Sequence, residues 1–301
     1  MKLRASHVAA ICYSDIFEYP LTNEEITRWA VGRSFLNPDP SISADVSTVS
    51  ALGRTFLVLS GREDIVGIRL SKEKLAQKKW TIARRVAVYL SYIPTVTLIG
   101  VTGGLSMDNV RNEDDIDMFF VVAPHTIWVS RFLITVVVEC LGLRRRPHQS
   151  RVKNKICLNM LVTEDGLEVP PHERDVFSAH EVLQLIPLWS SGRAYVRFLT
   201  ANQWVSRLFP NAWAEAEKKI IFEEKRTRDV FSSFFSRLVG LFEVPCRFIQ
   251  TRYMRKRRTV EIISDTVLRF HPKDARDWIK KSYGSRLRKF DMPLDKYFYA
   301  R

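Results

Sequence analysis

Residues 97–122 read TLIGVTGGLSMDNVRNEDDIDMFFVV. An apolar run through Val101 ends at the double glycine Gly103-Gly104. After a gap of ten residues come Asp115, Ile116 and Asp117, and the chain turns apolar again to Val122. This order predicts a strand, a tight glycine turn, a short helix or loop, and a second strand that opens with two carboxylates. Strand side chains alternate faces, so Asp115 and Asp117 leave the strand the same way. Adjacent carboxylates raise each other's pKa unless a cation lies between them. A divalent metal answers that need, and hard oxygen ligands suit magnesium, commonly held by one or two carboxylates plus substrate phosphates. At Gly103 and Gly104 no Cβ keeps backbone N–H groups away from a phosphate. The competing reading is a solvated charge run, Glu113, Asp114, Asp115 and Asp117, on a surface turn. The apolar flanks, and Ile116 between the acids, argue against it.

The stretch resembles the signature of the DNA polymerase beta-like nucleotidyltransferase superfamily: apolar strand, Gly-Gly or Gly-Ser, a gap, then Asp-apolar-Asp. The resemblance covers residues 95–165. It implies an α/β (α+β) domain, a small mixed sheet with flanking helices. It also implies magnesium-dependent transfer of a nucleoside monophosphate from a nucleoside triphosphate to an acceptor hydroxyl, with one or two Mg2+ ions. Asp115 and Asp117 match the metal-holding, catalytic pair. Gly103 and Gly104 match the phosphate turn, although Gly104 stands where many members have serine. Members carry a third carboxylate on a neighbouring strand. Here the strand at Lys155–Val162 offers Asn159 as its inward polar residue, and an amide cannot act as a base. Asp114 is another source; Glu164 and Asp165 lie beyond the strand, towards solvent. The resemblance therefore leaves a rival open. In it the fold is a catalytically weak or inactive binding or regulatory protein that contacts nucleic acid or a protein partner. The acceptor, on the enzymatic reading, is an RNA end, a protein side chain or a small molecule.

The 301 residues carry a formal net charge of +14. Two basic clusters stand out, Arg144–Lys155 and Arg252–Arg258. Such a surplus favours polyanionic partners: nucleic acid, nucleotides or an anionic membrane surface. Cys12, Cys140, Cys157 and Cys246 are far apart and flanked by apolar residues, which reads as reduced, buried thiols in a cytoplasmic protein. Met1–Arg4 is basic, but the apolar stretch behind it is short and broken by Ser14 and Asp15, so no secretory signal is expected. The most apolar window, Ile127–Leu143, is short and contains Arg131 and Glu139. It reads as a core helix, and no transmembrane segment is expected.

Four parts are expected along the chain: a winged-helix-like unit (1–70), a linking helix (71–94), the nucleotidyltransferase-like domain (95–205) and a basic helical unit (206–301). In the first, Ser6–Tyr19 has helical spacing. Thr22 with Glu25 forms a capping box for a second helix, and Ser43–Leu52 is expected as a third. FLVLS and IVGIRL then read as a hairpin. That order suits a wing that contacts DNA or protein, although the third helix is poor in Lys and Arg. Lys72–Tyr92 reads as a helix with one basic and one apolar face. Strands are expected at 95–101, 115–122 and 155–162, with the helix Ile127–Leu143 over them.

Beyond 173 only helices are expected: Arg174–Leu185, Arg193–Leu208, Trp213–Tyr253 with a break at Pro245, and Ala275–Tyr283 in a basic, aromatic tail. His180-Glu181 matches half of a zinc-protease motif, yet lacks the second histidine and reads as a capping or interhelical pair. Ser106 has no partner histidine for a hydrolase triad. Lys153 and Lys155 reach either a triphosphate or open solvent, and Arg131 either the aspartates or solvent. Phe231–Tyr253 is amphipathic, a pattern shared by packed helices and membrane-surface helices.

Overall fold

The structure, a computed structural model, describes residues 1–32, 39–146, 149, 151–224, 238–254, 262–269 and 275–299. Parts of the two basic clusters (147, 148, 150 and 255–258), residues 225–237 of the expected long helix and residues 270–274 of the tail lie outside the described residues.

The N-terminal part opens with β1 (Lys2–Arg4), α1 (Ala5–Asp15), β2 (Leu21–Thr22) and α2 (Asn23–Arg28). The Thr22–Glu25 capping box at α2 forms as expected. Next come β3 (Ser41–Ser43), β4 (Val46–Ala51) and β5 (Arg54–Leu59). β4 and β5 form a hairpin and β2 joins on the β5 side, giving the order β2-β5-β4. The expected third helix at 43–52 is therefore strand. VSTVSA places β-branched residues at period two, and pairing along β5 outweighs a weak helical pattern. The turn is Leu52-Gly53, both at positive φ.

IVGIRL, expected as a strand, instead opens α3 (Ile65–Leu90). Its buried positions Ile65, Val66, Arg69, Lys72, Ala76 and Lys79 recur every three or four residues. The linking helix thus begins several residues earlier than expected. Two of its expected surface cations, Lys72 and Lys79, are buried. Arg69 welds α3 to the N-terminal part. It donates to Glu25 at 2.7 Å and Glu73 at 2.9 Å, and stacks over Tyr19 with its guanidinium 4.0 Å from the ring centroid.

The middle of the chain builds one six-stranded sheet. Its first elements are β6 (Val96–Val101), α4 (Gly103–Ser106), β7 (Ile116–Val122), α5 (Ile127–Cys140) and β8 (Ile156–Thr163). Then follow α6 (Val176–Gln184), β9 (Ile186–Ser190), α7 (Ala194–Ala201), α8 (Pro210–Glu224) and α9 (Glu243–Met254). The chain closes with β10 (Ile262–Ile263), β11 (Val267–Arg269), α10 (Arg276–Arg288) and α11 (Leu294–Phe298).

Strand order is β10-β11-β8-β7-β6-β9. Only β7 and β8 run parallel, and α5 supplies their crossover. The chain is thus mixed α/β, with the expected central strands and covering helix. The expectation of helices alone after 173 fails at β9, β10 and β11. These are short strands, and Pro187 suits β9 to the sheet edge. Pro245 lies in the first turn of α9, where a missing N–H is tolerated, and the helix before it ends at 240 with a turn at 241–242, so the expected break falls just before the proline.

Alternation along β7 divides the core. Ile116, Met118, Phe120 and Val122 join the cluster under α3 and α5. Phe119 and Val121 join the other cluster, which gathers α1, α6, α7, α8, α10 and α11. Asp15 ties the ends of the chain together: Arg62 approaches it at 3.0 Å and Arg286 at 2.6 Å. By parity Asp117 faces the same side as Phe119 and Val121.

Candidate metal centre

Asp115 immediately precedes β7 and Asp117 is its second residue. The parallel register sets Cys157 of β8 opposite Asp117. One ligand atom each from Asp115, Asp117 and Cys157 lie within 4.8 Å of one another, and all three residues are half-buried. Burial, and then the charge of Asp115, pushes the Asp117 carboxyl up to about 7. A hydrogen bond from Cys157 and the charge of Arg145 oppose that rise. Burial first, then the two carboxylates, raises the Cys157 thiol well above its ordinary value. Arg145 Nη1 donates to Asp115 Oδ2 at 2.6 Å and approaches Cys157 Sγ at 3.3 Å. The acid pair thus has a counter-cation from its own chain.

The two glycines separate in role. Gly103 has φ +65°, and a Cβ there would lie 2.9 Å from Asp117 Oδ2. A side chain at 103 would occupy the space of the carboxylate, so glycine is required twice over. The Thr102 N–H donates to Asp117 O at 3.1 Å, fixing the turn to β7. At Gly104 a Cβ would meet Asn109 O at 2.6 Å. Gly104 therefore closes its own loop, with Asn109 N–H donating to Gly104 O at 2.8 Å.

α3 anchors that loop at both ends. Trp80 Nε1 donates to Asp108 Oδ1 at 2.6 Å. Lys79 Nζ donates to Asp114 O at 2.5 Å and also reaches Asn112 O and Asn154 Oδ1. The Asp114 carboxylate accepts the Arg111 N–H at 2.7 Å, within the loop and away from the pair.

Asn159 is buried at a register shift of β8 and donates to Thr102 Oγ1 at 3.3 Å. It supports the glycine turn, and Cys157 takes the strand position beside the acids. The expectation for that cysteine is a reduced, buried thiol with no role at the acids. The available signal was parity, since Cys157 and Asn159 lie two residues apart on one strand.

A second missed residue is Glu181. It lies on α6, which packs against α4, and it is half-buried. No hydrogen bond or ion pair to its carboxylate forms among the described residues. Burial first, then the charge of Asp117, raises it to about 7, with Arg269 opposing. His180, its neighbour, faces the other way. Its ring stacks on Tyr13 at 4.0 Å and Trp29 at 4.7 Å, with Phe209 edge-on at 4.4 Å. Nδ1 meets Val176 O at 2.8 Å, and burial lowers the ring to about 3. His180 thus packs among rings of other elements rather than forming the expected polar pair with Glu181, while the charge of Asp117 acts on Glu181.

The remaining candidates are engaged elsewhere. Lys155 donates to Gly142 O at 2.7 Å and Lys153 approaches Glu113 at 3.9 Å. Glu164 pairs with Arg197 at 2.6 Å, and Arg131 bonds Gln250. Ser106 donates to Gly103 O at 2.8 Å. All four cysteines are free, but only Cys12 is buried and Cys140 is exposed. The expectation of buried thiols therefore holds for Cys12 alone.

Two carboxylates and a thiol fit one divalent cation, the carboxylates suiting Mg2+ or Mn2+ and the sulfur a softer ion. No helix among the described residues is long and apolar enough to cross a membrane. No protein-family model, curated protein or solved structure matches the chain.

Proposed function

We propose that the chain is a magnesium-dependent nucleotidyltransferase of the polymerase beta-like type, moving a nucleoside monophosphate from a nucleoside triphosphate to an acceptor hydroxyl. The observation that supports it is the convergence of Asp115, Asp117 and Cys157 within 4.8 Å, directly against the Gly103 turn. Asp115 and Asp117 would hold Mg2+, which when bound would offset phosphate charge and stabilise the attacking and leaving oxygens. The turn at Gly103 and Gly104 would face the phosphates. Arg145, once released from Asp115, has a guanidinium fork suited to phosphate oxygens. Glu181, unpaired and near neutral in pKa, suits the role of general base for the acceptor hydroxyl. The acceptor oxygen bonds the α-phosphorus, pyrophosphate leaves, and the proton passes to the carboxylate.

The N-terminal order β2-β5-β4 beside α1 and α2 supports a winged-helix-like reading of that part. With the charge of +14, it favours a nucleic-acid or protein acceptor. Free thiols suit a cytoplasmic setting.

The second reading is a binding protein that keeps the fold without turnover. Cys157 and Asn159 in place of a strand carboxylate favour it, as does Arg145 on the acid pair. Incubation of the full chain with labelled nucleoside triphosphates and Mg2+ separates the two. Pyrophosphate release or self-labelling, lost in Asp115→Ala and Asp117→Ala, supports the enzyme. Nucleotide or nucleic-acid binding without turnover supports the second reading.

A further inference from the structure

A helix on a protein surface ordinarily turns its polar side to water. α9 departs from that. Its inner side mixes Glu243 and Gln250 with the apolar Cys246 and Met254. Glu243 accepts the N–H groups of Trp128 at 3.0 Å and Val129 at 2.9 Å, capping α5. Gln250 Nε2 donates to Trp128 O at 2.7 Å, and Met254 is buried beside them. These contacts, seven and then four residues apart, share one side of the helix and fix which side faces outward.

The outward side is apolar. Val244 is 76% exposed, Phe248 68% and Ile249 63%. Leu241 and Phe242, just before the helix, and Tyr253 near its end are exposed as well. A contiguous apolar surface of this kind marks an interaction site. Arginines rim it. Arg247 and Arg252 are exposed on the same helix, and Arg146 lies within electrostatic range of Tyr253. Arg247 pairs with the surface residue Asp265 at 2.8 Å, an exposed pair of small worth. Glu243, the acid of the helix itself, is taken up by the cap of α5. The sequence after the helix continues as Arg255, Lys256, Arg257 and Arg258, outside the described residues.

We propose that the outer side of α9 docks on an anionic lipid surface, with Phe248, Ile249 and Val244 entering the acyl boundary and Arg247 and Arg252 meeting the headgroups. A convex helix with bulky apolar residues on its outward side and arginines at its edge and towards its end matches an in-plane interfacial helix. Arginine stems lie along apolar surface while their heads reach phosphate. The charge balance of the chain, +14, complements an anionic surface rather than a neutral one. The helix is about 18 Å long, too short to span a bilayer and long enough to lie on one. This inference is independent of the nucleotidyltransferase reading.

Co-sedimentation of the full chain with phosphatidylcholine vesicles, with and without phosphatidylglycerol, tests it. The chain is expected to pellet with the anionic vesicles and to be released by salt. Phe248→Ser with Ile249→Ser should weaken binding roughly tenfold or more. Arg247→Glu with Arg252→Glu should lose binding to the anionic vesicles. Both changes lie on exposed positions, and an unaltered thermal midpoint shows that the variants fold. A wild-type chain that stays in the supernatant with both vesicle types overturns the proposal, as does full binding by the serine variant. An oligomer that dissociates in the serine variant, while the wild type ignores vesicles, assigns the surface to a second copy and overturns it too.

Discussion

His180 and Glu181 are consecutive residues of one helix, yet they serve regions built on opposite principles. The aromatic box around His180 takes a titratable ring, keeps it neutral and uses it as packing against Tyr13, Trp29 and Phe209. The acid pocket around Asp117 gathers like charges that oppose one another and leaves Glu181 unpaired. The first arrangement stabilises the fold. The second costs stability that Arg145 offsets only in part, and on the proposed function a bound cation would relieve the rest. Substitutions that move the two regions independently can sharpen this contrast or break it.

The largest effect is expected at the acids. On the proposed function, Asp117→Asn should lower turnover of a nucleoside triphosphate by roughly a hundred- to a thousandfold, measured as pyrophosphate release. The same change at Asp115 should do likewise, and His180→Phe should not. Turnover that survives both aspartate changes would break the contrast from one side.

His180→Ala should destabilise the fold by about 2–4 kcal/mol through the void it leaves among the rings, read from denaturant unfolding. His180→Phe should keep most of that packing and remove an acid slope. The folded ring titrates at about 3 against an ordinary value of 6.5. The unfolded chain therefore binds the proton first, and this stability is lost as pH falls from 6.5 towards 3. Thermal midpoints of the two proteins between pH 7 and pH 4 check the sign.

At Asp117 the sign is reversed. Its folded carboxyl is raised to about 7 from 3.8. No cost exists below the lower value, and it grows as pH rises to the upper one. Without metal, Asp117→Asn should therefore stabilise the protein at pH 8 by roughly 1–3 kcal/mol and leave it nearly unchanged at pH 4. Metal-free unfolding at both pH values gives the answer.

Gly103→Ala is expected to cost about 1 kcal/mol for its positive φ and to displace the Asp117 carboxylate it would touch. A several-fold weaker Mn2+ affinity should accompany that loss. Cys157→Ser, the mildest change, should leave the fold intact and shift preference from softer divalent ions towards Mg2+. Competition between Cd2+ and Mg2+ for the site reports it.

Much of this contrast was legible in the residues. Period-two alternation in IDMFFVV was enough to put Asp117 with Phe119 and Val121, and the glycine before it marked the turn that Asp117 touches. The aromatic box was not legible, because Tyr13, Trp29, His180 and Phe209 meet only through tertiary packing. Glu181 was passed over for the same reason, since a lone acid on a helix does not show which neighbour its charge will meet. Cys157 could have been found by parity with Asp117 once β8 was taken as parallel to β7. At 43–52 a short apolar pattern suited helix and strand equally, and pairing with β5 decided it. IVGIRL failed oppositely: six residues read alone suggest a strand, while the burial of Arg69, Lys72, Ala76 and Lys79 beyond them carries a helical period.

The most direct test of the central claim is a Mn2+ titration of the full chain without nucleotide, followed by electron paramagnetic resonance, for the wild type, Asp117→Asn and His180→Phe. Saturable binding by the wild type and His180→Phe, lost in Asp117→Asn, is the expected result. Equal binding by Asp117→Asn, or none by the wild type, would show that the acid pair beside Gly103 holds no metal.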